Sequence, residues 1–117
     1  MGSYRPESTR IEMKKLSRIF LVDEMSLIMD ALRWFWGEYK DKRIVCAVSK
    51  EVWERFAAKI GLGRSTRMSL KEAEARTLIL ALSHYWGEKN AKFESYESAL
   101  MSTLIREVDQ VIHKLWP

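Results

Sequence analysis

Hydrophobic residues recur at helical spacing through most of this chain. Met25, Ile28, Leu32 and Phe35 are three or four residues apart, which places them on one face of an α-helix. The same kind of spacing predicts four helices, over 23–36, over 50–60, over 69–86 and from a start within 93–98 to residue 116. We therefore predict a mainly α fold with a four-helix core.

Two short apolar runs, 18–22 and 43–48, are rich in branched side chains and do not follow this spacing. Asp23 comes directly after the first run and Ser49 after the second, and both residue types commonly begin a helix. We predict a short β-strand at each run. If the two strands pair, they form a minor two-stranded β element beside the helices.

Glycines and one capping pattern indicate where the predicted helices end or begin. Gly37 and Gly87 each follow a tryptophan, and glycine is common just past a helix end because it tolerates positive φ. Ser69 and Glu72 have the spacing of a capping box. These signals predict helix ends before the two glycines and a helix start at Ser69.

An eight-residue segment is echoed fifty residues later in the chain. Residues 31–38 read ALRWFWGE and residues 81–88 read ALSHYWGE, so five of the eight positions are identical. Two explanations are open. One is an old duplication that places two halves about a pseudo-twofold axis, and the other is coincidence in a chain rich in leucine and tryptophan.

Length and composition indicate a single folded domain. The chain has 117 residues, and we expect a polar, mobile segment over 1–15 and one helical domain over 16–117. Cys46 is the only cysteine, so an internal disulfide is impossible and a cytoplasmic location is expected. One asparagine and one glutamine beside 31% charged residues are typical of a thermophilic source.

Positive charge and aromatic rings are concentrated around residues 40–67. This segment has eight basic and three acidic residues, whereas the net charge of the whole chain is +4. Basic side chains bind phosphates and aromatic rings stack on bases, so we predict a non-catalytic nucleic-acid-binding protein that favours single-stranded DNA or RNA. The predicted contacts are Lys40, Lys42, Arg43, Arg64 and Arg67 for phosphates and Trp36, Tyr39 and Trp53 for stacking.

A second interpretation of the same segment stays open. The rings could belong to the core, and the basic side chains could face solvent or an acidic protein. The chain would then be a protein-interaction or regulatory module. No run of about 18 apolar residues exists, so we expect no membrane partner.

The loop 61–69 is a candidate phosphate site. Arg64 and Arg67 offer forked donors, Ser65 and Thr66 offer hydroxyl groups, and the loop precedes a predicted helix N-terminus, which attracts anions. The Gly-Lys-Ser/Thr ending of a Walker loop is missing, so nucleotide hydrolysis is not indicated. An ordinary solvated loop is the alternative.

The last predicted helix has an apolar seam with alternating spacings of three and four, typical of a heptad pattern. Its members are Met101, Leu104, Val108, Val111 and Leu115. We predict that this seam forms a homodimer interface. The alternative is that the same seam packs in the core of its own domain.

The sequence lacks an enzyme signature. His84 and His113 are the only histidines, lie on different predicted helices and have no second ligand at metal-binding spacing. We therefore predict that the protein is not an enzyme and uses no metal ion and no cofactor.

Part of the basic segment resembles a known DNA-binding family. Residues 43–56, followed by Gly61 and Leu62, resemble the strand, first helix and turn of a ribbon-helix-helix repressor. This resemblance implies a regulator that binds duplex DNA. The outward strand positions would be Val45 and Ala47, where the family has polar residues that read the major groove.

The layout of the chain suggests a second family. A small, basic, aromatic-rich domain with a terminal heptad helix is similar to the ThermoDBP-type single-stranded-DNA-binding proteins of thermophilic archaea. Those proteins hold the strand in a hydrophobic cleft flanked by basic residues. The similarity implies strand binding and assigns no individual residue.

Overall fold

The computed structural model describes residues 14–38 and 43–117, with side chains from residue 47 onward in the second segment. The elements along the chain are β1 (Leu16–Phe20), α1 (Val22–Glu38), α2 (Arg43–Ile60), β2 (Thr66–Leu70), α3 (Glu72–Lys89), a 3₁₀ turn (Asn90–Lys92) and α4 (Ser95–Leu115). Within this part of the chain, the prediction of a mainly α fold with a minor two-stranded β element is confirmed. The segment predicted to be mobile, 1–15, lies outside the described residues except for the exposed Lys14 and Lys15.

The two strands form an antiparallel sheet, but the second strand is not the one predicted. β1 pairs with β2 so that Arg18 lies opposite Met68. The first strand begins two residues before the predicted 18–22. The prediction of a strand over 43–48 is wrong, because these residues form the first turns of α2.

Tertiary packing explains why the branched run before Ser49 is helical. Val48 packs against the core, and the buried Ser49 hydroxyl donates a hydrogen bond of 3.2 Å to the carbonyl oxygen of Leu32 in α1. A helix brings these two side chains to α1 together with Val52 and Phe56 on the next turns. Packing against a neighbouring element therefore overrides the β preference of the branched side chains.

Two predicted helix ends and one predicted start also differ from the structure. Gly37 and Gly87 lie inside α1 and α3, which continue to Glu38 and Lys89, and neither glycine has a positive φ. Helix α3 begins three residues after Ser69. There the backbone N–H of Lys71 donates to a Glu74 carboxylate oxygen at 2.9 Å, so Glu74 caps the helix start.

The core lies between the sheet and the four helices of the described chain. Both strands and all four helices contribute fully buried side chains to it. The largest are Phe20, Phe35, Phe56, Leu16, Met25, Ile28, Leu32, Leu70, Leu78, Leu82, Met101 and Leu104. The inner face of the sheet is thus covered by helices, and its outer face is left to solvent.

The described chain consists of two strand–helix–helix halves related by an offset of fifty residues. β1 and β2 start at Leu16 and Thr66, and α1 and α3 start at Val22 and Glu72. The buried positions of α1 and α3 also correspond at this offset, for Glu24 and Glu74, Met25 and Ala75, Ile28 and Leu78, Ala31 and Ala81, and Leu32 and Leu82. The structure therefore has the arrangement that the duplication explanation of the repeated segment predicts.

Aromatic contacts between α1 and α3 obey the same symmetry. The ring of Trp34 lies 5.7 Å from that of Tyr85, and the ring of Phe35 lies 5.9 Å from that of His84. The offset of fifty relates Trp34 to His84 and Phe35 to Tyr85, so each contact is the symmetry equivalent of the other. A pseudo-twofold axis therefore passes through the crossing of α1 and α3.

The second helices of the two halves correspond as well, with an offset of 52. Buried residues recur at the same intervals in both helices, which are Ser49, Val52 and Phe56 in α2 and Met101, Leu104 and Val108 in α4. The two additional residues lie between Leu82 and Met101, whose counterparts Leu32 and Ser49 are two residues closer in the sequence. The heptad-like seam of the last helix is thus the counterpart of the core face of α2.

Candidate nucleic-acid interface

The two-stranded sheet presents a solvent-facing surface, which we call the ribbon face, made of Ser17, Ile19, Arg67 and Ser69. Side chains alternate between the two sides of a strand. Leu16 and Phe20 are fully buried, while Ile19 between them is 49% exposed. In the opposite strand Met68 is buried and Arg67 is exposed.

Strand register sets the positions on the ribbon face. Ile19 lies opposite Arg67, and Ser17 lies opposite Ser69. The Arg67 guanidinium donates a hydrogen bond of 3.2 Å to the Ser17 hydroxyl, diagonally across the two strands. This bond confirms that both side chains are on the same side of the sheet. None of the four outward positions is acidic.

Basic side chains lie at both ends of the ribbon face. Lys15 directly precedes β1 and Lys71 directly follows β2, so the antiparallel pairing places both at one end. Arg64 lies two residues before β2, at the other end. All three side chains are exposed. Arg67 is on the ribbon face itself, so this two-stranded surface has one cation within it and further cations at both ends.

A partly buried ion-pair network fixes the inner side of β1. The Arg18 guanidinium donates two hydrogen bonds of 2.9 Å to the Glu24 carboxylate and one of 2.6 Å to Glu107 on α4. Burial opposes the charge of Arg18, but the bonds to Glu24 and Glu107 outweigh burial and raise the pKa of Arg18 above its usual value. Glu24 also accepts the backbone N–H of Leu21 at 2.9 Å, which ties the end of β1 to the start of α1.

The second half has the equivalent link with a different cation. Glu74 corresponds to Glu24 and accepts a hydrogen bond of 2.9 Å from Arg55 on α2. Arg55 also donates to the carbonyl oxygen of Ser69 in β2 at 2.6 Å. Both strands are therefore held to the start of the following helix by a capping glutamate and an arginine. These contacts hold the ribbon from the inner side of the sheet.

The two predicted stacking residues that the structure describes, Trp36 and Trp53, are not on the ribbon face. Trp36 and Trp53 are half-buried, and their rings meet edge to face at 5.8 Å. The Arg33 guanidinium is 5.9 Å from the centre of the Trp53 ring. Trp36 is fourteen residues into α1 from Val22, so it is about 20 Å along the helix axis from the start of α1.

The predicted phosphate contacts are only partly described by the structure. Arg64 and Arg67 are exposed and belong to the sheet region, although 66–70 is a strand and not the predicted loop before a helix. Tyr39, Lys40 and Lys42 lie outside the described residues. Arg43 begins α2, and its side chain is also outside the description.

The predicted dimer seam is largely enclosed by its own chain. Met101, Leu104 and Val108 are 0% exposed, so they are not accessible to a second copy. Val111 and Leu115 are half-buried and pack against the same core. The three buried residues therefore follow the alternative interpretation, in which the seam packs in the core of its own domain.

The sequence prediction missed Lys15, Ser17, Ile19, Ser69 and Lys71 as members of the candidate interface. Two signals in the sequence could have found them. Residues 67–70 alternate polar and apolar side chains, which is typical of a half-buried strand. The offset of the repeated segment, applied to the predicted first strand, also places a second strand close to residue 68.

Several site types have no support among residues 14–38 and 43–117. No group of three or more His, Cys, Asp or Glu side chains is placed to hold a metal ion there. No described helix combines the length and hydropathy needed to span a membrane. Comparisons with known protein families, with curated proteins and with solved structures found no match to the chain.

Proposed function

We propose that this protein binds nucleic acid by inserting the ribbon face into the major groove of duplex DNA. The observation that carries the proposal is a solvent-facing, two-stranded antiparallel ribbon with Arg67 near its centre and cations at both ends. The major groove of B-DNA is about 12 Å wide and admits a two-stranded ribbon. This mode of binding is similar to that of the ribbon-helix-helix repressors, but the ribbon here is β1 paired with β2 and does not include residues 43–48.

The chemistry of the ribbon face suits base edges. Arginine donates two hydrogen bonds to guanine, serine hydroxyls accept or donate to any base, and an apolar side chain can contact the thymine methyl group. Lys15, Arg64 and Lys71 at the ends of the ribbon would contact the phosphates that border the groove. Their contacts would supply the salt-dependent part of the affinity.

A second candidate function is the binding of a single strand at Trp36 and Trp53, which the sequence favoured. The observation in its favour is the Arg33 guanidinium beside the Trp53 ring, because a cation next to a ring suits a phosphate next to a base. The edge-to-face contact of the two indoles already uses part of their surface. We therefore rank this candidate second.

Binding of fluorescent duplex and single-stranded oligonucleotides at several salt concentrations tests the proposal. We expect duplex binding that weakens as salt rises, with a log–log slope of about −0.9 per phosphate contacted. Arg64→Ala should weaken all duplexes alike and make the slope shallower by about one contact. Lys92→Ala is the matched control, since Lys92 is exposed in the 3₁₀ turn that follows α3 and its replacement removes the same charge.

The outcomes separate the functions. If Arg64→Ala and Lys92→Ala bind duplex equally well, the ribbon face is not the interface. If the wild-type protein binds neither duplex nor single strand at low salt, the nucleic-acid proposal fails and the interpretation as a protein-interaction module gains.

A further inference from the structure

The pseudo-twofold axis passes through the centre of the ribbon face. Residue 18 pairs with residue 68, and these two positions are equivalent in the two halves. The same operation exchanges Ser17 with Arg67 and Ile19 with Ser69. The backbone of the ribbon is therefore nearly symmetric, while the side chains that it presents to a groove are not.

The chemical difference is concentrated at one end of the ribbon. Arg67 and Ile19 lie opposite each other, toward Phe20 and Thr66, whereas Ser17 and Ser69 lie opposite each other toward the other end. One end of the ribbon thus presents the forked donor of an arginine beside an apolar side chain, and the other end presents two hydroxyl groups. A symmetric dimer offers the same residues to both half-sites and so matches a palindrome. This ribbon does not.

We propose that one copy of this chain recognises an asymmetric, non-palindromic duplex site. Guanine lies under Arg67 and a nearby thymine lies under Ile19, because arginine binds the O6 and N7 atoms of guanine and an apolar side chain contacts the thymine methyl group. The half of the DNA site that faces Ser17 and Ser69 tolerates several bases. This inference rests on the proposed binding of duplex DNA by the ribbon face and adds its sequence class and its stoichiometry.

In the free protein, Arg67 is held by its own symmetry equivalent. Its guanidinium bonds the Ser17 hydroxyl at 3.2 Å, and both side chains are exposed. A neutral hydroxyl satisfies only one of the five donors of an arginine. Guanine offers two acceptors that fit the fork of the guanidinium. When Arg67 leaves the Ser17 hydroxyl and binds guanine, it gains a hydrogen bond and turns toward the end of the ribbon that it shares with Ile19.

Selection from a library of randomised duplexes tests the inference. We expect the wild-type protein to enrich a motif without dyad symmetry that contains guanine on one side, with one chain bound per site. Arg67→Ser should reduce discrimination at the guanine by roughly 5- to 150-fold. It should leave binding to unrelated duplexes much less affected.

A symmetrised variant gives the sharpest control. Ser17→Arg combined with Ser69→Ile presents one arginine and one isoleucine at each end of the ribbon. Both substitutions are at outward positions and leave the core untouched. We expect this double variant to enrich a palindrome made of two copies of the half-site that wild type reads with Arg67 and Ile19. Circular dichroism verifies that both variants keep the wild-type fold.

The possible failures are distinct. A wild-type motif that is palindromic, or duplex binding without any enriched motif, would overturn this inference while leaving duplex binding intact. A palindromic motif from the double variant only, together with an asymmetric wild-type motif, supports it. Absence of any duplex binding would instead refute the proposed function itself.

Discussion

Arg18 lies directly opposite Met68 at the centre of the antiparallel sheet, and the two residues occupy equivalent positions in the two halves of the chain. Both point toward the core side of the sheet, but one is a cation and the other is apolar. Arg18 binds Glu24 and Glu107, while Met68 is buried among core residues. The pseudo-twofold axis thus relates two backbones whose side chains have diverged on both faces of the ribbon.

This divergence predicts unequal roles for the two capping glutamates. Glu24→Ala should lower the free energy of unfolding by about 3–5 kcal/mol, because it removes the buried carboxylate that accepts two hydrogen bonds from the partly buried Arg18 and one from the backbone N–H of Leu21. Glu74→Ala should cost about 1–3 kcal/mol, since its partner Arg55 has a side chain 39% exposed and keeps water as a substitute. Urea denaturation of both variants measures the two costs.

Glu24→Gln is the matched control for this pair. The amide oxygen can still accept the N–H of Leu21, so this variant should fall between wild type and Glu24→Ala. Equal losses for Glu24→Ala and Glu74→Ala would show that the divergence at Arg18 and Met68 has no energetic consequence.

The last helix provides a second test of stability. Val108→Glu places a charge at a fully buried position, so we expect the domain to unfold. Gln110→Glu, two residues later and exposed, adds the same charge and should stay folded. Circular dichroism with light scattering distinguishes the outcomes. If wild type is a dimer and Val108→Glu is a folded monomer, the seam is a dimer interface as the sequence predicted.

Helical periodicity was the most reliable part of the sequence interpretation, because it reports which face of each helix is buried. It located all four helices of the described chain to within a few residues at most ends. The strand at 43–48 failed because branched side chains favour β structure only weakly against packing. Whether Val48 and Ser49 meet α1 depends on tertiary contacts that a local pattern does not contain.

The candidate interface was harder to predict than the fold. Charge density along the sequence selected Arg64 and Arg67, which are exposed, but it also grouped them with Trp36 on the last turns of α1 and Trp53 on α2, which are not on the ribbon face. Ser17 and Ser69 carry no charge and stand out only when the strand register is known. The repeated segment contained that information, since its offset relates the two strands as well as the two helices.

A hydrogen bond between exposed side chains should give stability a measurable pH dependence. The Tyr96 hydroxyl donates to the Asp23 carboxylate at 2.7 Å, and this bond raises the pKa of Tyr96 above its usual value of 10.0. Its contribution is therefore complete below about pH 10 and is lost as the pH rises through the folded-state pKa. Unfolding by urea at a series of alkaline pH values should show a smaller decline for Tyr96→Phe than for wild type.

Tyr85→Phe is the control for this measurement. Burial raises the pKa of Tyr85, and Asp30 and Glu97 raise it further, so Tyr85 contributes to the alkaline decline by a separate route. The variant should retain the part that depends on Tyr96. Parallel pH profiles for wild type and Tyr96→Phe would contradict a role of the Asp23 bond.

Tryptophan emission separates the two candidate modes of nucleic-acid binding. If the ribbon face binds duplex DNA, Trp53→Phe should leave duplex affinity unchanged, because Trp53 is not on the ribbon face and its ring packs on that of Trp36. We also expect wild type to prefer duplex over a single strand of the same length at equal salt. Stacking on Trp53 would instead quench emission when a single strand is added, and the phenylalanine variant would then lose both this quenching and part of the affinity, up to about 1–3 kcal/mol per base. That result, with a preference for the single strand, would place binding at the tryptophan pair and would argue against the ribbon.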